Sequence, residues 1–88
     1  GQGNINYYEK LEDSLTDRAK TRSVLEYARI AHLIYNSDKM NQRLKPHSFS
    51  DWYKYFCQIV GCEYNPEYKP SKLKDTKGLE KEFYFLFQ

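Results

Sequence analysis

Apolar positions recur at helical spacing from the first turns of the chain. Tyr8, Leu11 and Leu15 mark one face of a first helix. Val24, Tyr27, Ala28, Ala31, Ile34 and Tyr35 repeat the spacing in a second. Thr16-Asp17 offers the N-cap of that second helix or a polar step within one continuous helix. Ala28 and Ala31 are small enough to let another helix approach closely. Asn36-Ser37-Asp38 marks a fraying point, and Met40 and Leu44 carry the pattern on to Lys45. The stretch from Asn4 to Lys45 holds neither glycine nor proline, which favours helix.

Pro46 ends this stretch, because the residue before a proline is pushed out of the helical region. Ser48-Phe49-Ser50-Asp51 then has the spacing of a capping box, with Ser50 as the competing cap. Phe49, Trp52, Tyr53, Phe56, Ile59 and Val60 form the stripe of a core-facing helix, with Trp52 in the core. Gly61 stands where a left-handed C-terminal cap belongs. From Cys62 to Lys77 the pattern is irregular, and Asn65-Pro66 and Lys69-Pro70 are turn signals. Pro70 opens a short helical turn through Leu73, and Asp75 or Thr76 caps a last helix that carries Leu79, Phe83, Leu86 and Phe87. The run from Phe83 to Phe87 is also rich in strand formers. A lone strand would have nothing to pair with, so helix is the expectation. The predicted fold is all-α: a single domain over residues 1–88, a small bundle of three to four helices with an irregular connection near residues 62–77.

Composition narrows the class. The chain has 88 residues, too few for the large catalytic barrels and dinucleotide-binding sheets. Nine tyrosines, five phenylalanines and one tryptophan give more burial capacity than a disordered tail has. No apolar run approaches the roughly 20 residues of a membrane span, and no signal peptide opens the chain. Gly1 reads as a residue left after tag removal, and the chain as a mature protein or a piece of a longer one. Two cysteines are too few for a disulfide scaffold, and no Asn-x-Ser/Thr acceptor is present. Both fit a cytoplasmic setting.

Candidate chemistry is sparse. His32, His47, Cys57 and Cys62 lack the paired short spacing of zinc modules. Cys57 lies in an apolar helix, where a thiol is inert. A disulfide to Cys62 would have to fold back over Gly61. Glu9, Glu12, Asp13 and Asp17 read as a solvated face, and Gly61 and Gly78 stand alone rather than in a phosphate-cradling loop. The expectation is a non-enzyme with no metal, cofactor or small-molecule ligand.

Binding surfaces remain. The net charge of +2 does not advertise a nucleic-acid binder, yet three features fit one. Helices joined by Lys45-Pro46-His47 have a helix–turn–helix outline. The second would expose Asp51, Lys54, Tyr55 and Gln58, of which Lys54 and Gln58 suit base edges while Asp51 repels phosphate. Lys69, Lys72, Lys74 and Lys77 are interleaved with Tyr64, Tyr68 and Pro70, a pattern that can neutralise phosphates and stack on bases. Arg18, Arg22 and Arg29 form a third basic stripe. The competing reading of each is a solvated face with lysine stems over aromatics. The alternative function is a protein-partner or self-association surface formed by Phe83, Tyr84, Phe85 and Phe87, an apolar run hard to hide in so small a body.

Overall fold

A computed structural model describes residues 3–17 and 19–87, and every regular element among them is helical. α1 spans Gly3–Thr16, α2 Val24–Tyr35, α3 Asn41–Leu44, α4 Phe49–Val60 and α5 Leu79–Glu82. Short 3-10 turns occupy Pro70–Lys72 and Tyr84–Phe87. The architecture is the expected all-α bundle with an irregular 62–77 connection, although α3 and α5 are single turns.

α2 is the central helix. Ala28, Ile30, Ala31, Leu33 and Ile34 are buried, so it meets neighbours on most of its surface. Its N-cap is Ser23, whose Oγ accepts from the Glu26 N–H at 3.1 Å. Thr16-Asp17 therefore caps nothing in α2: α1 stops at Thr16 and residues 17–23 connect the two helices. Nor does α2 run on to Lys45. The buried Ser37 turns it, its Oγ donating to the Ile34 carbonyl at 2.8 Å while its own carbonyl accepts from Asn41 at 2.9 Å. A hydroxyl that competes for backbone partners ends a helix in this way.

α4 packs on α2 with Phe49, Trp52, Tyr53, Phe56 and Cys57 buried. Trp52 Nε1 donates to the Ala31 carbonyl at 2.8 Å, so the largest side chain of the stripe also has its polar atom satisfied. The α4 ends follow the sequence. Ser48 Oγ accepts from Asp51 N–H at 3.2 Å, and Gly61 takes the left-handed conformation at φ 74°. That φ strains any side-chain-bearing residue, which is why glycine stands there.

α1 contributes Leu11 to the core, with Tyr8 and Leu15 packed beside it. The Arg43 guanidinium lies 5.1 Å from the Tyr8 ring, and Lys10 Nζ 5.8 Å from the Phe85 ring. In the irregular connection, Leu73 is fully buried and anchors the loop.

The C-terminal run corrects an expectation. Phe83 and Phe85 are 0% and 7% exposed, whereas Tyr84 and Phe87 are 52% and 39% exposed. Phe83 and Phe85 thus belong to the core and not to a partner surface. The cause is a change of period. α5 starts after Gly78, at φ 85°, and the backbone passes into a 3-10 turn at Tyr84. Three residues per turn align Phe83 with Leu86, and both are fully buried. The expected side-chain cap from Asp75 or Thr76 is replaced by the Thr76 carbonyl, which accepts from Leu79 and Glu80. The Lys39 N–H donates to the Leu86 carbonyl at 3.1 Å and ties this end to the turn after α2.

Candidate functional site

The long first arm of the expected helix–turn–helix outline is missing, because α2 ends at Tyr35. Residues 45–48 join α3, a single turn, to α4. The outer face of α4 exposes Ser50, Asp51, Lys54, Tyr55, Gln58 and Ile59. These positions do not form one surface. Lys54 leans towards the loop, its Nζ 5.4 Å from the Tyr64 ring. Tyr64 in turn packs on Tyr53 at 4.9 Å, and Tyr53 Oη accepts from the Asn65 N–H at 3.2 Å. Tyr55 faces elsewhere, into a hollow of about 290 Å³ shared with Arg43, His47, Asp51 and Trp52. Gln58 is exposed one turn beyond Lys54.

Lys69, Lys72, Lys74 and Lys77 are all exposed. Among the described residues, ion pairs involve only Lys20, Arg22, Glu26 and Glu82, so the loop lysines and Lys54 have none. Tyr68 is half-buried against the core. Arg18, the first of the third basic stripe, lies outside the described residues. Arg22 is inside the protein, where Glu82 and Glu26 hold it.

That second charged cluster went unseen in the sequence. Glu82 accepts from Ser14 Oγ and Lys20 Nζ, each at 2.7 Å, and from Arg22. Burial pushes its pKa up, but the three donors overcome this and hold the carboxyl down at about 2. The partners lie 60 or more residues apart in the chain, so no local pattern announces them.

A hollow of about 490 Å³ joins the two candidate surfaces of the sequence reading. It is lined by His32, Leu33 and Asn36 of α2, by Lys74, Thr76 and Glu80, and by Tyr84 and Phe87. His32 is half-buried, its ring edge-on to Phe49 at 5.5 Å. Burial lowers its pKa, a hydrogen bond to the Leu73 carbonyl opposes this, and the charges of Lys45 and Lys74 lower it further. Sequence reasoning missed the roles of His32, Asn36 and Glu80 here. The one local signal was the i, i+4 spacing of Thr76 and Glu80, which are hydrogen-bonded at 2.8 Å.

Cys57 and Cys62 are free thiols. The cap at Gly61 does fold the chain back, since the Cys57 carbonyl accepts from both Gly61 and Cys62. Burial raises both pKa values, that of Cys62 to about 12. No three His, Cys, Asp or Glu side chains among the described residues converge to hold a metal. No described helix is long and apolar enough to cross a membrane. Comparison with known proteins adds nothing to this geometry: no family model, no curated protein and no solved structure matches the chain.

Proposed function

We propose that the chain is a non-enzymatic interaction domain that binds nucleic acid through Lys54 and Gln58 of α4 and the adjoining lysine loop. The observation that carries this reading is the idle charge. Lys54, Lys69, Lys72, Lys74 and Lys77 are exposed, and among the described residues none has an acidic partner. A phosphate backbone supplies the missing anions and releases counterions on binding. Tyr64, half-buried beneath Lys54, ties helix and loop into one surface. Asp51 occupies the first turn of α4 and keeps phosphate from that end. The loop is therefore the phosphate contact, and Lys54 and Gln58 are the base-facing residues. Two free thiols fit work in a reducing compartment such as the cytoplasm.

The test is a fluorescence-anisotropy titration of random duplex and single-stranded DNA at about 50 and 200 mM salt. About four phosphate contacts weaken duplex binding roughly a hundredfold across that range. Absent binding, or binding indifferent to salt, overturns the reading.

A second reading is favoured by one observation. Tyr84 and Phe87 remain exposed, and they suit a protein partner or a second copy of the chain. Self-association of this kind survives salt and depends on protein concentration.

A further inference from the structure

The hollow beside α2 has contents that select an occupant. Tyr84 and Phe87 offer two exposed rings, which favour a flat apolar group. Lys74 lines the hollow, is exposed and has no acidic partner among the described residues. This rim favours an anion. Glu80 has the opposite sign. Thr76 Oγ1 donates to its Oε1 at 2.8 Å and steadies the carboxylate. The other oxygen has no hydrogen-bond partner among the described residues and can accept from an amino group. A flat ring, an amino group and a phosphate occur together in a nucleotide of adenine, cytosine or guanine. Thymine and uracil carry a carbonyl in place of that amino group, which a carboxylate repels, and keep only the ring N3–H as a donor.

We propose that this hollow receives one unpaired, amino-bearing nucleobase of a single strand. Tyr84 and Phe87 pack on the base, Glu80 accepts from its exocyclic amino group, and Lys74 meets the phosphate. The site deepens the nucleic-acid reading above and rests on it. It adds a preference between bases, which the lysine loop alone cannot give.

The experiment titrates labelled oligo(dC) and oligo(dU) of equal length at neutral pH against the wild type, Glu80→Ala and Phe87→Ala. Cytosine and uracil differ at the group that faces Glu80. The wild type is expected to bind oligo(dC) about tenfold more tightly than oligo(dU), the low end of a good base-edge contact. Glu80→Ala is expected to erase that preference and leave oligo(dU) binding in place. Phe87→Ala is expected to weaken oligo(dC) about tenfold through lost stacking. Glu80 holds the hydroxyl of the buried Thr76 and Phe87 is 39% exposed, so both variants are first shown to be folded by their melting curves, and Glu80→Gln, which keeps an oxygen for Thr76, accompanies Glu80→Ala.

Equal wild-type affinity for the two strands, or a preference that survives Glu80→Ala, overturns the base site. Salt-dependent binding would then leave the broader reading standing. Binding to neither strand nor duplex removes both and leaves an aromatic side chain of a protein partner as the occupant.

Discussion

Two regions of this molecule use the same charged residue types in opposite ways. At Glu82, donors from α1 and the α1–α2 connection converge on one carboxylate of α5. The Arg22 side chain there is 5% exposed, so its charge has left water and is matched by Glu82 and Glu26. In the 69–77 segment, four lysines stand in solvent, and none of them has an ion-pair partner among the described residues. A buried charge that loses its partner is strongly destabilising, whereas a solvated one loses little. The first region therefore holds the fold, and the second contributes little to it.

The largest effect is expected where both regions depend on the same support. Trp52→Ala removes the indole from the α2–α4 contact together with its hydrogen bond to Ala31. The cost is about 3–5 kcal/mol, read as a large fall in melting temperature. A variant with an unchanged melting temperature would show that α4 does not carry the core, and the comparison would lose its frame.

Glu82→Ala comes next. It leaves the Arg22 guanidinium without its main partner, at an expected cost of about 2 kcal/mol, discounted from the fully buried case because Glu82 is partly exposed. The same carboxylate predicts an acid limit. Its folded pKa of about 2 lies below its ordinary value of 4.5, so the unfolded chain takes up the proton first. The stabilisation is complete above about pH 4.5 and is lost as pH falls towards 2. Denaturant melts across this window should flatten in the variant.

Lys72→Glu with Lys74→Glu sharpens the contrast. Solvated positions of this kind change stability by no more than about 0.5 kcal/mol. The double reversal is expected to leave the melting temperature in place and to abolish nucleic-acid binding. A drop comparable to that of Glu82→Ala would break the distinction between the two regions.

Features that depend on neighbours in the chain were legible in the sequence. Ser48 and Gly61 cap α4 through bonds that span only a few residues. Phe49, Trp52, Tyr53 and Phe56 of the α4 stripe are buried as period alone predicts, whereas Ile59, in its last turn, is 49% exposed. Ser37 was harder, because a serine reads as helix or break according to which carbonyl its hydroxyl finds. Leu79, Phe83 and Leu86 are buried as their spacing predicts, whereas Phe85 is buried and Phe87 exposed against it, because the period switches within the run from α to 3-10. The Glu82 cluster and the hollow of Lys74 and Tyr84 were illegible for a single reason. Their members come from distant segments, and only the packed chain brings them together.

The smallest expected effect is also the most local test of the comparison. Burial lowers the His32 pKa first, and the charges of Lys45 and Lys74 lower it further. None of the Glu82 cluster is among the causes of its shift. Lys74→Ala should therefore raise the His32 pKa, followed by proton NMR of the imidazole, whereas Lys20→Ala should leave it where it is. The sign has a consequence for stability. A histidine held neutral in the folded state opposes folding once the unfolded chain protonates, so stability falls as pH drops below the ordinary value of 6.5. Removing Lys74 relieves part of that loss. A phosphate bound at the same rim should act in the same direction, because an anion near His32 favours its charged form. Should Lys20→Ala move His32 as far as Lys74→Ala, the charges of the two regions would not be separate, and the loop lysines could not be called idle.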